Sequence, residues 1–174
     1  MTSHSEKHDK LIPIGINVAA LETFDFKEFI PYLLNRAVLA VLPLFEVKLQ
    51  EQQLPLDGWR ILAVLHKLAP LRVRDLLRLT GIEPPTLSRT LASLERRKLV
   101  VRSPSEQDAR GILVRATGEG LALANALIPH AIALQNAMLR DFSEDEIEFL
   151  IRLLRRLHLN LETGHPSPLG QVNV

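Results

Sequence analysis

The sequence predicts a mainly α-helical protein with one small α+β segment near its centre. Residues 82–117 have the pattern of a helix, a strand, a polar loop and a second strand. Long apolar helical patterns occupy both ends of the chain. Positive charge is concentrated in residues 57–116, which contain 12 Lys and Arg against 6 Asp and Glu, whereas the remainder has 9 against 14.

The first 53 residues predict an N-terminal tail or arm and then a long helix. Residues 1–26 begin with a disordered polar tail, and apolar residues then alternate with a period of about two. That alternation fits a short strand or an extended arm that packs on a partner subunit, and both interpretations stay open. Residues 27–53 follow a helical pattern that is apolar on more than one side, so more than one neighbour should cover this helix.

The central segment, residues 54–116, begins with two short helices. Asp57 is the expected N-cap of a helix over 57–68. Gly81 then turns the chain from a positioning helix over 72–80 into a helix over 84–97. Along that last helix the leucines recur at helical spacing and should form one buried stripe: Leu87, Leu91 and Leu94.

Two strand-like runs follow this helix, at residues 99–102 and 112–115, with a polar loop over 103–111 between them. A helix-turn-helix followed by two short strands and a polar tip is a winged helix-turn-helix. Arg110 should lie at the wing tip, where a cation can enter a narrow minor groove of DNA. Asp108 should orient that guanidinium by a paired hydrogen bond.

The solvent-facing side of the helix over 84–97 carries hydroxyls and guanidiniums, which suit a major groove. Hydroxyls can meet most base edges, and Arg can bond bidentately to guanine. We therefore expect Thr86, Ser88 and Arg89 to contact base edges. Basic residues near this helix are expected to contact phosphates, in keeping with the local excess of positive charge: Arg72, Arg74, Arg96 and Lys98.

The same residues resemble the multiple-antibiotic-resistance regulator (MarR) family of bacterial transcription factors. The matching pieces are Thr86–Arg89, Leu94–Val100, and Asp108-x-Arg110 with Thr117 seven residues later. The resemblance covers roughly residues 29–162 and includes Leu56–Arg60. The chain departs from the family pattern in three places. Glu83 replaces a small capping residue, Lys98 replaces a frequent Gly, and the wing at Ala109-Arg110-Gly111 carries less charge than is usual.

Residues 117–162 predict two further helices. Thr117 should cap the first, and Ser143 with Glu146 forms a capping box before the second. The second carries an apolar seam at Ile147, Leu150, Ile151, Leu154, Leu157 and Leu161. A two-fold dimer would bury this surface, so we predict an all-helical dimerisation lobe built from both chain ends, with residues 163–174 as a tail. The resemblance implies the same dimer.

A dimer places two recognition helices about 34 Å apart, which matches successive major grooves of a palindromic operator. The resemblance also implies a small-molecule effector, often an aromatic acid, bound where the dimerisation lobe meets the winged domain. The polar and aromatic residues expected to border that place are Tyr32, Asn35, Arg36, Trp59, Arg60 and His66. Each of them also suits a structural role, in the core or in a salt bridge between helices.

Other function classes find little support in the sequence. There are no cysteines, the histidines form no metal-binding pattern, and no nucleophile or phosphate-binding motif is present. We therefore expect no cofactor, no metal and no catalytic residues. The longest apolar run, residues 37–45, is too short to span a bilayer, so a cytoplasmic protein is expected. The alternative to a DNA-binding regulator is a winged-helix protein-interaction module that does not bind DNA.

Overall fold

The computed structural model describes residues 24–105 and 108–162. The described residues form six helices and three strands, in the order α1 Ile30–Glu51, α2 Leu56–Leu68, β1 Leu71–Arg72, α3 Val73–Thr80, α4 Pro84–Arg96, β2 Val100–Ser105, β3 Asp108–Ala116, α5 Gly118–Met138 and α6 Glu144–Glu162. The chain divides into two structural units. One is Leu34–Arg140, and the other consists of the flanking ends, described here over residues 24–33 and 141–162.

The structure is mainly helical with a winged helix-turn-helix at its centre, as the sequence predicted. The predicted domain boundaries do not coincide with the two structural units, because most of α1 and all of α5 belong to the same unit as the winged helix. The assignment of these helices to a dimerisation lobe stays a prediction. The expected N-terminal tail, most of the expected arm and the C-terminal tail after residue 162 lie outside the described residues.

The wing is a three-stranded antiparallel sheet with β3 in the middle, flanked by β1 and β2. Both predicted strands are present, but they are longer than predicted. Pairing continues from Val100 opposite Ala116 to Ser105 opposite Asp108. The expected loop over 103–111 is therefore wrong, because most of it belongs to β2 and β3. The short strand β1 was also missed, since Leu71 and Arg72 are held by pairing with Val114 and Leu113, far away in sequence.

Helix ends follow local sequence patterns in two of three predicted cases. The Thr117 hydroxyl accepts a hydrogen bond from the Gly120 amide at 3.1 Å, which confirms the predicted cap of α5. The capping box before α6 is also confirmed, because the Ser143 amide donates to Glu146 at 2.8 Å. The prediction that Asp57 caps α2 is wrong. Pro55 occupies the N-cap, and its ring already holds the backbone φ at −69°.

The core of the unit Leu34–Arg140 lies beneath the recognition-type helix α4. The predicted stripe is confirmed, because Leu87, Leu91 and Leu94 are all buried. They belong to one hydrophobic cluster with α2, α3 and β3, to which α1 contributes Phe45 and Leu49. The apolar stripe thus fixes which side of α4 faces inward, and the opposite side is left at the surface.

Helices α1 and α5 are long and apolar enough to cross a membrane when judged by length and composition alone. These helices are longer than the unbroken apolar run 37–45, because hydropathy averaged over a whole helix tolerates a few polar residues. Core helices of soluble proteins meet the same criterion. Phe45 and Leu49 of α1 and Leu127 of α5 are buried in the core described above, so both helices take part in the folded unit.

Candidate nucleic-acid interface

Helix α4 presents a polar outer face because its sequence begins with two prolines and repeats leucine at helical spacing. Pro84 and Pro85 occupy the first turn, where a missing backbone N–H costs nothing. The leucine stripe then turns Ser88, Arg89 and Arg96 to the surface, and Thr86 is half-buried. Among the described residues, the Glu83 side chain forms no cap on this helix, which agrees with its departure from the family pattern.

The predicted base readers Thr86 and Arg89 contact each other. The Arg89 guanidinium donates to the Thr86 hydroxyl at 3.4 Å and to the Pro85 carbonyl at 3.3 Å. Both distances lie at the long end of hydrogen bonding, so little free energy is lost when these donors turn to another acceptor. Ser88 is exposed beside them. The structure therefore leaves Ser88 and Arg89 exposed on α4 and Thr86 half-buried next to Arg89.

An ion pair joins α4 to the wing. Arg102 on β2 donates to the carboxylate of Glu95 on α4. Their side chains are 34% and 29% exposed. The hydrogen bond from Arg102 holds the pKa of the Glu95 carboxyl below its ordinary value and outweighs the opposing effect of burial. The sequence analysis did not predict this pair. Its signal is the spacing of seven residues, because a tight turn between α4 and β2 brings Glu95 and Arg102 together.

The predicted wing-tip residues are placed only in part. Residues 106 and 107 lie outside the described part of the chain, and Asp108 and Arg110 belong to β3 rather than to a loop. Asp108 is the first residue of β3, and Arg110 lies two residues further along it. Its predicted hydrogen bond to Asp108 falls on side chains outside the described ones and stays a prediction.

The predicted phosphate contacts are scattered around α4. Arg72 is half-buried in β1, while Arg74 in the first turn of α3 has a side chain that is 73% exposed and lies 3.9 Å from Asp75. Arg96 and Lys98 are exposed at the end of α4. Lys98 has a left-handed backbone, with φ of 56°. Arg96 and Lys98 thus lie at the C-terminal end of α4, whereas Arg72 and Arg74 lie at the start of α3.

The predicted effector-binding residues of α2 are engaged within the folded unit. Trp59 packs edge to face on Phe45 with ring centroids 5.3 Å apart, and Arg60 lies 3.4 Å from Asp57. His66 shares a hydrogen bond of 2.8 Å with Asn125 through Nε2. Its Nδ1 is buried and has no hydrogen-bond partner among the described residues.

The predicted effector-binding residues of α1 are distributed differently. Asn35 and Arg36 are exposed, and Tyr32 belongs to the other structural unit, where its ring lies 3.9 Å from that of Phe26. An apolar groove of about 180 Å³ lies between α1 and α5, and it is lined by none of the six predicted residues. Its lining is Ala40, Val41, Leu44, Leu134, Ala137 and Met138.

The predicted seam on α6 is open in the single chain. Ile151, Leu154 and Leu161 are 41%, 42% and 78% exposed. The other seam residues, Ile147, Leu150 and Leu157, are half-buried. Exposure of large apolar side chains along one helix is unusual for a monomer surface and marks a candidate interaction surface.

Comparison with known proteins identifies the domain that contains α4. Residues 52–111, from before α2 into β3, match the MarR family model. The HTH-type transcriptional repressor NicR of Pseudomonas putida is 26% identical over 134 residues, which make up 77% of this chain and 85% of NicR.

Solved structures agree with this assignment. A MarR-family transcriptional regulator from Silicibacter pomeroyi superimposes with a TM-score of 0.75 at 26% identity, over 83% of this chain and 97% of that one. BpsR of Bordetella bronchiseptica, solved in a study of how 6-hydroxynicotinic acid regulates its DNA binding, shares the fold with a TM-score of 0.70 at 24% identity, over 78% of this chain and 96% of that one. Residues 52–111 thus match the MarR family, and the chain shares its winged-helix fold with solved MarR-family transcriptional regulators.

Proposed function

We propose that this protein is a homodimeric, sequence-specific DNA-binding regulator that represses transcription by occupying its operator. One observation carries the proposal. The buried leucine stripe of α4 leaves Ser88 and Arg89 exposed and Thr86 half-buried on its outer side, within the segment that holds the chain's excess of positive charge. A basic segment with hydroxyls and a guanidinium on an exposed helix suits both phosphate neutralisation and base reading.

The proposed contacts follow from this arrangement. Thr86, Ser88 and Arg89 contact base edges in the major groove. Arg110, supported by Asp108, enters the minor groove beside it. Positively charged side chains around α4 contact the phosphate backbone: Arg72, Arg74, Arg96 and Lys98. The weak hydrogen bonds of Arg89 within α4 support its role, because they can be exchanged for bonds to a base.

The proposed dimer uses the exposed apolar side chains of the long helices. On α6 these are the seam residues around Leu154, and on α1 they include Val38, Leu39 and Leu44. Burial in a two-fold interface would favour the dimer, because each Å² of apolar surface removed from water contributes about 25 cal/mol against the entropic cost of association. Such a dimer explains why a cytoplasmic regulator has two helices of membrane-spanning length, because the second copy of the chain, rather than lipid, covers exposed apolar side chains.

We also propose that an aromatic acid relieves repression. NicR is named as a repressor, and BpsR is described as regulated by 6-hydroxynicotinic acid. The BpsR likeness is one of fold, so it supports the class of control and leaves the ligand of this chain open. Among the candidates, His66 has a buried Nδ1 without a hydrogen-bond partner among the described residues. An effector that binds the DNA-incompetent conformation more tightly shifts the dimer population toward it.

Fluorescence anisotropy on the DNA upstream of the protein's own gene tests the DNA-binding proposal, with random DNA alongside across a salt series. A specific regulator should bind the upstream DNA about a thousandfold more tightly than random DNA, and both affinities should fall steeply with salt. Weak binding to both fragments that does not depend on salt would favour the alternative, a winged-helix module that binds another protein.

A further inference from the structure

Helix α1 ends in a turn that exposes backbone carbonyls. The Leu54 amide donates to the Leu49 carbonyl at 2.9 Å, and the Gln53 amide donates to the Gln50 carbonyl at 2.9 Å. Gln53 has a left-handed backbone, with φ of 50°. This pair of bonds is the Schellman arrangement. It leaves the carbonyls of Gln52 and Gln53 at the negative end of the helix dipole, where a cation is favoured.

Helix α4 ends in the same way. The Leu99 amide donates to the Leu94 carbonyl at 2.9 Å, and the Lys98 amide donates to the Glu95 carbonyl at 2.8 Å. Lys98 supplies the left-handed residue here. The residue before it, Arg97, is the C-cap of α4. The ends of α1 and α4 thus share one geometry and belong to the same structural unit.

The Arg97 side chain joins these two ends. Its Nη1 donates to the Gln53 carbonyl at 2.7 Å, and its Nη2 donates to the Gln52 carbonyl at 3.0 Å. Two parallel charge-assisted bonds from one planar guanidinium fix an angle as well as a distance. Arg97 thus holds the end of α4 against the end of α1, although its side chain is exposed.

The turn after α4 is also fixed on its other side. The Thr117 hydroxyl donates to the Lys98 carbonyl at 2.6 Å, and the Thr117 amide donates to the Leu99 carbonyl at 3.0 Å. The same hydroxyl caps α5. Residues 97–99 therefore connect α4 to α1 through a side chain and to α5 through the backbone.

We propose that Arg97 is a positioning residue that sets the recognition helix α4 relative to the long helix α1. The inference rests on the proposed function, because α1 then belongs to the dimer and α4 reads DNA. Half-site reading requires two recognition helices at one fixed separation, so the attachment of α4 to α1 governs operator affinity. Binding to random DNA has no such requirement, since phosphates are evenly spaced along it.

A basic residue at the end of a recognition helix could instead contact a phosphate, and the two roles predict different results. Loss of a phosphate contact weakens binding to all sequences and lowers the slope of log affinity against log salt by about one. Loss of a positioning residue weakens operator binding alone and leaves the slope unchanged. Arg97→Lys separates them further, because it keeps the charge but not the planar pair of donors.

The test compares Arg97→Ala and Arg97→Lys with wild type. Arg96→Ala, at the exposed neighbouring residue, serves as the reference for the loss of a phosphate contact. We expect Arg97→Ala to weaken operator binding by about 3- to 30-fold, the size of effect that single residues outside a binding site produce. Binding to random DNA should change less than about twofold, with an unchanged salt slope. Arg97→Lys should show most of the same loss. Thermal unfolding should show that both variants are folded at the assay temperature, and sedimentation should give the same oligomeric state as wild type.

Hydrogen exchange of the free protein gives a readout that does not depend on DNA. In Arg97→Ala the amides of Gln53 and Leu54 should exchange faster, because the turn that ends α1 loses its clamp. Unchanged exchange of these amides in Arg97→Ala would overturn the inference. So would an unchanged operator affinity in Arg97→Ala, provided that the wild type prefers its operator to random DNA. An equal loss on both DNAs with a smaller salt slope would assign Arg97 to a phosphate instead. A wild type without operator preference would refute the proposed function itself.

Discussion

Gly120, in the first turn of α5, is the position where one added methyl group should do most damage. A Cβ there would lie inside the contact distance of the Leu99 carbonyl oxygen, a backbone atom, and 3.4 Å from the Leu62 side chain. The Leu99 carbonyl cannot rotate away cheaply, because it accepts the Thr117 amide at 3.0 Å. Gly120→Ala must therefore push α5 away from the turn that follows α4.

The magnitude follows from these contacts. Overpacking a well-filled core costs about 1–3 kcal/mol. Loss of the bond between Thr117 and Leu99 adds about 1 kcal/mol. We expect Gly120→Ala to lower the free energy of unfolding by about 2–4 kcal/mol, the sum of these two effects. Gly118 lies two residues earlier in the same helix and has open space around it, so it is the matched control. Gly118→Ala should be neutral, or stabilising by about 0.4–1 kcal/mol.

Urea unfolding followed by tryptophan fluorescence measures both variants. Trp59 is the only tryptophan in the sequence and packs on Phe45 near the core, so its emission reports this unit. All proteins should be compared at one concentration, because dimerisation makes apparent stability depend on it. A Gly120→Ala variant within about 0.5 kcal/mol of wild type, the range of ordinary surface changes, would refute the packing described for this junction.

Three further predictions concern the ends of α4 and the seam on α6. Lys98→Gly should stabilise the fold by about 0.5–1 kcal/mol, because glycine adopts the left-handed backbone without strain. Lys98→Ala keeps the strain and should not stabilise the fold, so equal melting temperatures for the two variants would contradict this prediction. Because the Glu95 pKa is lowered on folding, its pairing with Arg102 stabilises the protein at neutral pH and is lost as pH falls below the ordinary value of 4.5. Glu95→Gln should therefore cost less than about 1 kcal/mol at pH 7 and nothing in acid, and a constant difference in urea unfolding would exclude this linkage. Leu154→Glu with Leu157→Glu should give monomers in sedimentation, since charges enter the seam; an intact dimer would show that the seam lies elsewhere.

Features that depend on neighbouring residues were predictable from the sequence. The stripe of Leu87, Leu91 and Leu94 follows from helical spacing, and burial of all three confirms it. The Thr117 cap and the box of Ser143 with Glu146 need residues only three apart, so the chain encodes them locally. These patterns sufficed to orient α4 and so to indicate which of its residues face solvent.

Features that depend on distant residues were not predictable. Strand β1 exists because Leu71 finds Val114, more than forty residues later, and neither residue signals the other. The wing strands extend into a segment that contains Pro104 and Gly111, which local rules assign to a loop. The bonds of Arg97 to carbonyls 44 and 45 residues earlier are equally hidden, because a backbone acceptor leaves no mark in the sequence.

The candidate effector site was predicted by residue type, and type alone does not distinguish ligand binding from packing. Trp59 packs on Phe45, and Arg60 pairs with Asp57 one turn earlier. Both arrangements use the groups that made these residues candidates. His66 differs, because its buried Nδ1 has no partner among the described residues. The contacts in the structure therefore distinguish His66 from Trp59 and Arg60, which residue type alone did not.

The central claim is that α4 reads DNA sequence, and one competition measurement tests it most directly. The ratio of random-DNA to operator dissociation constants is measured for wild type and Arg89→Ala at about 0.15 M salt, a physiological ionic strength. We expect wild type to give a ratio of about a thousand or more. Arg89→Ala should lower it by about 5- to 150-fold, the discrimination of one bidentate base contact. The same ratio for both proteins would contradict the assignment of Arg89 to base reading, and a wild-type ratio near one would contradict sequence-specific binding altogether.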